Sequence, residues 1–124
     1  MKTISHTILF LSAFTVNVAS AQCTGGAITD SNNDTVAYTC PGDGRPDIVT
    51  FSVIGDSGTY AYVITDANNK VLGLPPSNQN DFDGAGIGNC RVWGVGYTGN
   101  VTISVGDTVG ITAFSDACFS WSSN

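Results

Sequence analysis

The sequence contains no glutamate, its only histidine is His6, and it has four lysine and arginine residues in total. Histidine and glutamate are the side chains most used for proton transfer at neutral pH. Because His6 lies in an apparent export signal, a mature Ser-His-Asp or Cys-His catalytic arrangement cannot be built, and histidine metal sites are excluded as well. Few basic residues also argue against nucleic acid as a partner and against binding or insertion at a membrane, since nucleic acid and anionic lipid need clustered lysine or arginine.

Helix-forming patterns are missing too. Nowhere do apolar residues recur at three-and-four spacing over a dozen positions, as an amphipathic helix requires. Valine, isoleucine, threonine, tyrosine and phenylalanine dominate instead, which is the composition that strands prefer. The sequence therefore predicts an all-β protein.

The N-terminus has the features of a secretory signal peptide. Lys2 supplies a positive start, an apolar run follows at 8–18, and Ala-Ser-Ala at 19–21 fits the small-residue rule for cleavage before Gln22. The apolar run is too short for a membrane span. Gln22 stands directly before Cys23, where lipid attachment would need a small residue, so we expect cleavage of 1–21 and a single exported domain over 22–124.

All ten acidic residues are aspartates of the predicted mature chain, and its only basic residues are Arg45, Lys70 and Arg91. This acidic balance is typical of a soluble extracellular domain. We expect a secreted or cell-surface location, with an extracellular protein or a glycan as partner.

Four cysteines lie in the mature chain, which predicts two disulfides in an exported protein. Three pairings are open, and we predict Cys23 with Cys40 and Cys90 with Cys118, because each bond closes a moderate loop between neighbouring predicted strands. Zinc is the competing use of four cysteines, but no Cys-x-x-Cys spacing occurs.

Alternating apolar and polar residues, interrupted by turn residues, predict about eight short strands. An antiparallel, immunoglobulin-like β-sandwich is the natural way to bury two such sheets. Residues 75–89 form the one long connection between predicted strands. The strand candidates are residues 26–30, 35–39, 47–54, 59–66, 70–74, 90–97, 101–105 and 109–113, with a short last strand around Cys118.

Residues 81–97 are the most distinctive part of the chain. The first half is a loop that contains Gly84, Gly86 and Gly88. The second half alternates strictly, with bulky side chains on one face and Val92 and two glycines on the other. A strand with one nearly bare face predicts close packing of its sheet against another layer.

The order of landmarks resembles a four-cysteine β module of about 100 residues that is found, often in tandem, in large secreted and cell-surface proteins of bacteria. The resemblance implies an extracellular β domain and no defined activity. Its landmarks here are Cys23 with Gly25-Gly26-x-Ile28, Cys40-Pro-Gly-Asp-Gly-Arg-Pro-Asp47, Val63-Ile-Thr-Asp66, Leu72-x-Leu-Pro75, Asp81-Phe-Asp-Gly-Ala-Gly-x-Gly-x-Cys90-x-x-Trp93, and Cys118-Phe119.

Two pairs of aspartates are weak calcium candidates: Asp43 with Asp47, and Asp81 with Asp83. The first pair resembles the end of the Asp-rich calcium loops of extracellular repeats, in which oxygen ligands alternate and glycine makes the turn. Thr39 and Pro41 stand where the first two ligands should be, so the simpler interpretation is a turn. We expect no obligatory cofactor.

Aromatic residues offer a second kind of candidate site. Trp93 and Tyr97 share a strand face with Arg91, and Trp121 lies near the C-terminus. An exposed Trp–Tyr platform would stack on sugar rings, while the simpler alternative is that Trp93 fills the core.

These observations favour a secreted, non-enzymatic β-sandwich module for surface, adhesion or matrix interaction. The alternative is a carbohydrate-binding module, with calcium as an added ligand. A small secreted enzyme or enzyme inhibitor is the third hypothesis, and no residue supports it.

Overall fold

A computed structural model describes residues 22–123, and every regular element in that range is a β-strand. The predicted signal peptide 1–21 lies outside the described residues. The strands are β1 Thr24–Asp30, β2 Ile48–Ser57, β3 Thr59–Thr65, β4 Val71–Gly73, β5 Gln79–Asp81, β6 Arg91–Tyr97 and β7 Phe119–Trp121. The all-β prediction is confirmed. Between residues 22 and 123 no helix is long and apolar enough to cross a membrane.

The strands form two antiparallel sheets, which confirms the sandwich prediction. One sheet has the order β1-β2-β5, and the other has the order β4-β3-β6-β7. The longest ladder joins β3 to β6, from Thr59 opposite Tyr97 to Thr65 opposite Arg91.

The chain passes from one sheet to the other at Gly58. β2 and β3 are consecutive in sequence, yet they belong to different sheets and do not pair with each other. Gly58 has a φ of 89°, a backbone conformation that glycine adopts at no steric cost. Residues 55–58 are therefore not a simple hairpin turn, because the strand continues to Ser57 and the bend falls on the following glycine.

Two turns share one construction, Asp-x-Asn-Asn-x. In the first, the Asp30 carboxylate accepts hydrogen bonds from the backbone N–H groups of Asn32 and Asp34, at 2.8 and 2.9 Å. In the second, Asp66 accepts from the N–H groups two and four residues later, at the same two distances. The fourth residue of each turn is an asparagine with positive φ, which asparagine tolerates better than most residues. The second turn joins β3 to β4, as the sequence predicts.

The four-stranded sheet is buried on both faces. On one face, Phe51 of β2 and Ile64 of β3 form a core with Phe82 between the two sheets. On the other face, Val63 and Val95 belong to a second core, which the segment 98–118 covers with its own apolar side chains. That segment contributes Ile103, Val109 and Phe114.

Segment 98–118 corrects the strand prediction for 101–105 and 109–113. These residues make only isolated bridges, such as Val101 with Ser115, and no ladder. Glycines with positive φ at positions 99, 106 and 110 interrupt the extended backbone every few residues. Residues 35–39 are also not a strand, whereas β5 lies within 75–89, which the sequence predicts to be loop.

The bare face of β6 allows close contact between the sheets, as predicted. A Cβ atom on Gly96 would overlap the backbone carbonyl oxygen of Thr24 in β1. A Cβ atom on Gly94 would overlap the ring of Tyr60, whose hydroxyl donates a hydrogen bond to the Gly25 carbonyl oxygen. Glycine at these positions therefore sets the spacing between β1 and β6.

The disulfide prediction is wrong in its pairing. Cys23 is bonded to Cys118, with Cα atoms 5.9 Å apart, and among the described residues Cys40 and Cys90 are unpaired. The reason is the path of the chain: Ala27 of β1 forms a parallel bridge with Ser123, so the two ends of the domain run side by side. Loop length alone could not indicate this long-range contact.

Candidate functional site

Two long loops meet at one end of the sandwich, which we call the loop end: residues 31–47, before β2, and residues 82–90, after β5. Ile48, the first residue of β2, pairs with Asp81, the last residue of β5. Because the strands are antiparallel, the preceding loop and the following loop leave from the same end. The Phe82 N–H donates to the Asp47 carbonyl oxygen at 3.0 Å, which continues this contact beyond the strands.

Three of the four calcium candidates come together at the loop end. The Asp81 carboxylate accepts hydrogen bonds from the backbone N–H groups of Asp47 and Asp83, at 2.9 and 3.0 Å. The Asp83 carboxylate accepts from the Gly42 N–H at 2.9 Å. We call Asp47, Asp81 and Asp83 the acidic cluster.

Asp43 does not join this cluster. Its carboxylate accepts from the Arg45 N–H at 2.8 Å, which is the turn that the simpler interpretation of this motif predicts. The carboxylates of Asp81 and Asp83 serve to hold the two loops together through backbone N–H groups. Within residues 22–123 no three acidic, histidine or cysteine side chains lie close enough to hold a metal ion.

An open groove of about 500 Å³ lies between the two sheets at the loop end, and we call it the inter-sheet groove. Strands of both sheets contribute to its wall, and the loop 82–90 forms the rest. Ile64 and Phe82 give it an apolar floor, and Ile87, whose side chain is 97% exposed, lies at its edge. Such a combination of apolar surface and a few polar groups is common in ligand-binding clefts.

A second groove, of about 490 Å³, lies between residues 30–39 and the start of β2. Its lining is mostly polar and includes Asp30, Asn32 and Asp34. Tyr38 also lines it, with 94% of its side chain exposed. We call this the Tyr38 groove. Among residues 22–123, Tyr38 is the only aromatic side chain that is exposed.

The aromatic residues singled out in the sequence are not assembled into an exposed platform. Trp93, Tyr97 and Trp121 are partly buried and pack against the core under segment 98–118. The Trp93 and Trp121 rings meet edge to face, with centroids 6.1 Å apart, and the Trp93 indole N–H donates to the Thr65 hydroxyl at 3.0 Å. Arg91 is exposed and donates to the Asn69 side chain at 2.8 Å.

Sequence reasoning missed Tyr38. The residue lies in a stretch of alternating apolar side chains, Val36 and Tyr38, which favours a half-buried strand. In the structure this stretch lies outside every strand, and both side chains are exposed. The turn residues on either side of it, at 31–34 and 41–44, were the one available signal that it belongs to a loop.

Hydrogen bonding changes the acidity of two aspartates. Hydrogen bonds to the Asp30 carboxylate lower its pKa: the bond from the Asp34 N–H has the largest effect, and those from the Asn32 N–H and side chain add to it. The side-chain amide and then the backbone N–H of Asn100 lower the pKa of Asp116 in the same way. Burial raises the pKa of Tyr60, with a smaller contribution from neighbouring Tyr62, so its phenol stays protonated at physiological pH. None of these shifts creates a proton-transfer group near neutral pH.

Comparison with known proteins found no matching family model, no similar curated protein and no similar solved structure. The functional argument therefore rests on the residues and their geometry.

Proposed function

We propose that this chain is a secreted, non-enzymatic module that recognises an extracellular partner through its loop end. The observation that carries the proposal is the exposure of Tyr38 and Ile87, one beside each groove, on loops held in place by hydrogen bonds. Exposed apolar side chains beside clefts are typical of interaction sites. Loops presented by a rigid sheet scaffold commonly carry recognition.

The chemistry of the described residues supports binding rather than catalysis. In the acidic cluster, the Asp81 and Asp83 carboxylates accept backbone hydrogen bonds. The predicted mature domain, 22–124, contains no histidine, because the only one in the sequence is His6. An exported location agrees with the Cys23–Cys118 disulfide, since such bonds persist in oxidising compartments.

A direct test measures binding of the purified 22–124 domain to extracellular matrix and cell-surface preparations. We expect specific binding that falls at least tenfold in a Tyr38→Ala, Ile87→Ser double variant. Ile111→Ser is the matched control, because Ile111 is 84% exposed but lies on segment 98–118. Equal loss in the control, with both variants folded, would contradict recognition at the loop end.

A carbohydrate-binding module is the second candidate, and the Tyr38 groove favours it. A tyrosine ring stacks on the C–H face of a pyranose, while Asp34 and Asn32 offer an acceptor and a donor to sugar hydroxyls. The lining carries carboxylates and no basic side chain, which favours a neutral sugar over an anionic one. This site replaces the platform of Trp93, Tyr97 and Trp121.

A neutral oligosaccharide array separates the two candidates. Binding that is lost in Tyr38→Ala and kept in Tyr38→Phe would establish sugar stacking, because phenylalanine keeps the ring. Binding to protein preparations alone would assign the loop end to a protein partner.

A further inference from the structure

We propose that Cys40 and Cys90 form a second disulfide, which joins the two loops of the loop end. The observed Cys23–Cys118 bond removes two of the four cysteines from the choice of partners. The two that remain are exposed and unpaired. The inference concerns covalent structure and does not depend on the proposed function.

The loops that carry these cysteines are already tied together. The Gly42 N–H donates to both the carbonyl and the carboxylate oxygen of Asp83, each at 2.9 Å. Cys40 is two residues before Gly42, and an extended chain spans about 3.5 Å per residue. Cys40 is therefore held within about 7 Å of the point where its loop contacts Asp83.

Cys90 belongs to the same part of the molecule. It lines the inter-sheet groove together with Phe82 and Ala85, which are the immediate neighbours of Asp83 and Gly84 in the chain. Cys90 directly precedes Arg91, which is paired with Thr65, so the strand fixes its position.

Any adjustment must come mainly from the Cys40 side. A disulfide needs Cα atoms about 4.4–6.8 Å apart. Residues 36–40 belong to no strand, so the chain that leads to Cys40 can adjust while Gly42 stays bonded to Asp83. Cys90 is held by the start of β6.

The reaction is ordinary thiol–disulfide exchange. One thiolate attacks an external disulfide oxidant, such as oxidised glutathione, and releases one reduced thiol. The second cysteine then attacks this mixed disulfide and releases the other. Two protons and two electrons leave the cysteines, one S–S bond forms, and the oxidant is reduced to two thiols. The product ties the loop 31–47 to the base of β6 beside the inter-sheet groove.

The test equilibrates the full exported chain with oxidised glutathione, alkylates any remaining thiols with iodoacetamide and maps the peptides without reduction. We expect a peptide pair joined through Cys40 and Cys90, a second pair joined through Cys23 and Cys118, and no alkylated cysteine. Cys40→Ser should leave one alkylated or glutathione-bearing cysteine, Cys90, with the other pair intact. Alkylation of both Cys40 and Cys90, or a separate glutathione on each, would overturn the proposal. A Cys23–Cys40 peptide pair would overturn it as well.

Discussion

Removing the Cys23–Cys118 disulfide should cost more stability than any other single covalent change in the described domain. The two cysteines are 95 residues apart in sequence. In the chain-entropy model, a bond that closes a loop of about 100 residues restricts the unfolded chain and so raises the free energy of unfolding by about 4.7 kcal/mol. Domains of this size are stable by about 5–15 kcal/mol in total, so the variant is expected to lose a third or more of its stability.

Guanidinium unfolding followed by tryptophan fluorescence measures this loss, because Trp93 and Trp121 are both partly buried in one core. We expect the unfolding free energy of Cys23→Ala/Cys118→Ala to fall by about 4–5 kcal/mol. At about 4–8 °C per kcal/mol, the melting temperature should fall by about 16–40 °C.

The single variants test the pairing itself. Cys23→Ala, Cys118→Ala and the double variant should show nearly equal losses, because either substitution already breaks the bond. The contrasting pair is Cys23→Ala with Cys40→Ala, whose effects should add. Additive losses for Cys23 and Cys118, with non-additive losses for Cys23 and Cys40, would refute the structural pairing and restore the one expected from loop length.

Three further predictions follow from the same structure. Gly94→Ala should destabilise the domain by about 1–3 kcal/mol, because the new Cβ meets the Tyr60 ring; Gly84→Ala, which has open space around it, is the control, and equal effects would contradict the close packing. Hydrogen bonds lower the pKa values of Asp30 and Asp116, so the ionised carboxylates stabilise the folded state above about pH 4. That stabilisation is lost as the pH falls through the pKa values of the folded state. Acid titration followed by NMR should therefore give carboxyl midpoints for these two residues below those in the unfolded chain, and midpoints at or above the unfolded values would contradict the assigned hydrogen bonds. The melting temperature should be the same in millimolar calcium and in chelator, because the Asp81 and Asp83 carboxylates accept backbone hydrogen bonds; a higher melting temperature in calcium would show that carboxylates of the acidic cluster bind the ion.

The strands of the sandwich other than β5 were predictable because each carries a local signal. The alternation at β3 and β6, and the Asp-x-Asn-Asn turn that begins at Asp66, are visible in a few consecutive residues. Segment 98–118 has the same alternation but does not form a ladder, because glycines with positive φ divide it and its apolar side chains cover a sheet instead. Ile103 and Val109 are buried, while Ile111 is 84% exposed, so local alternation specified neither the pairing of the backbone nor every buried side chain in this segment.

The candidate site was less accessible to sequence reasoning, since it depends on which loops meet. The two aspartate pairs looked like separate features, and the pairing of Ile48 with Asp81 brings Asp47 of the first pair to Asp81 and Asp83, without Asp43. Trp93 and Trp121 have the residue type expected for sugar binding, but segment 98–118 covers them. Exposure of Tyr38 follows from the absence of a pairing partner, which no short-range pattern specifies.

The bond between residues 23 and 118 also has a mechanical consequence. A tensile load applied through the two ends of the domain would pass along the backbone to these cysteines and cross directly between them. The 94 residues enclosed by the bond, which include strands β1 to β6, would carry none of that load and would not be drawn out. Only β7, which follows Cys118, lies in the path of the load. Held between two surfaces, the module would act as a short link whose extension is limited to the few residues outside the bond.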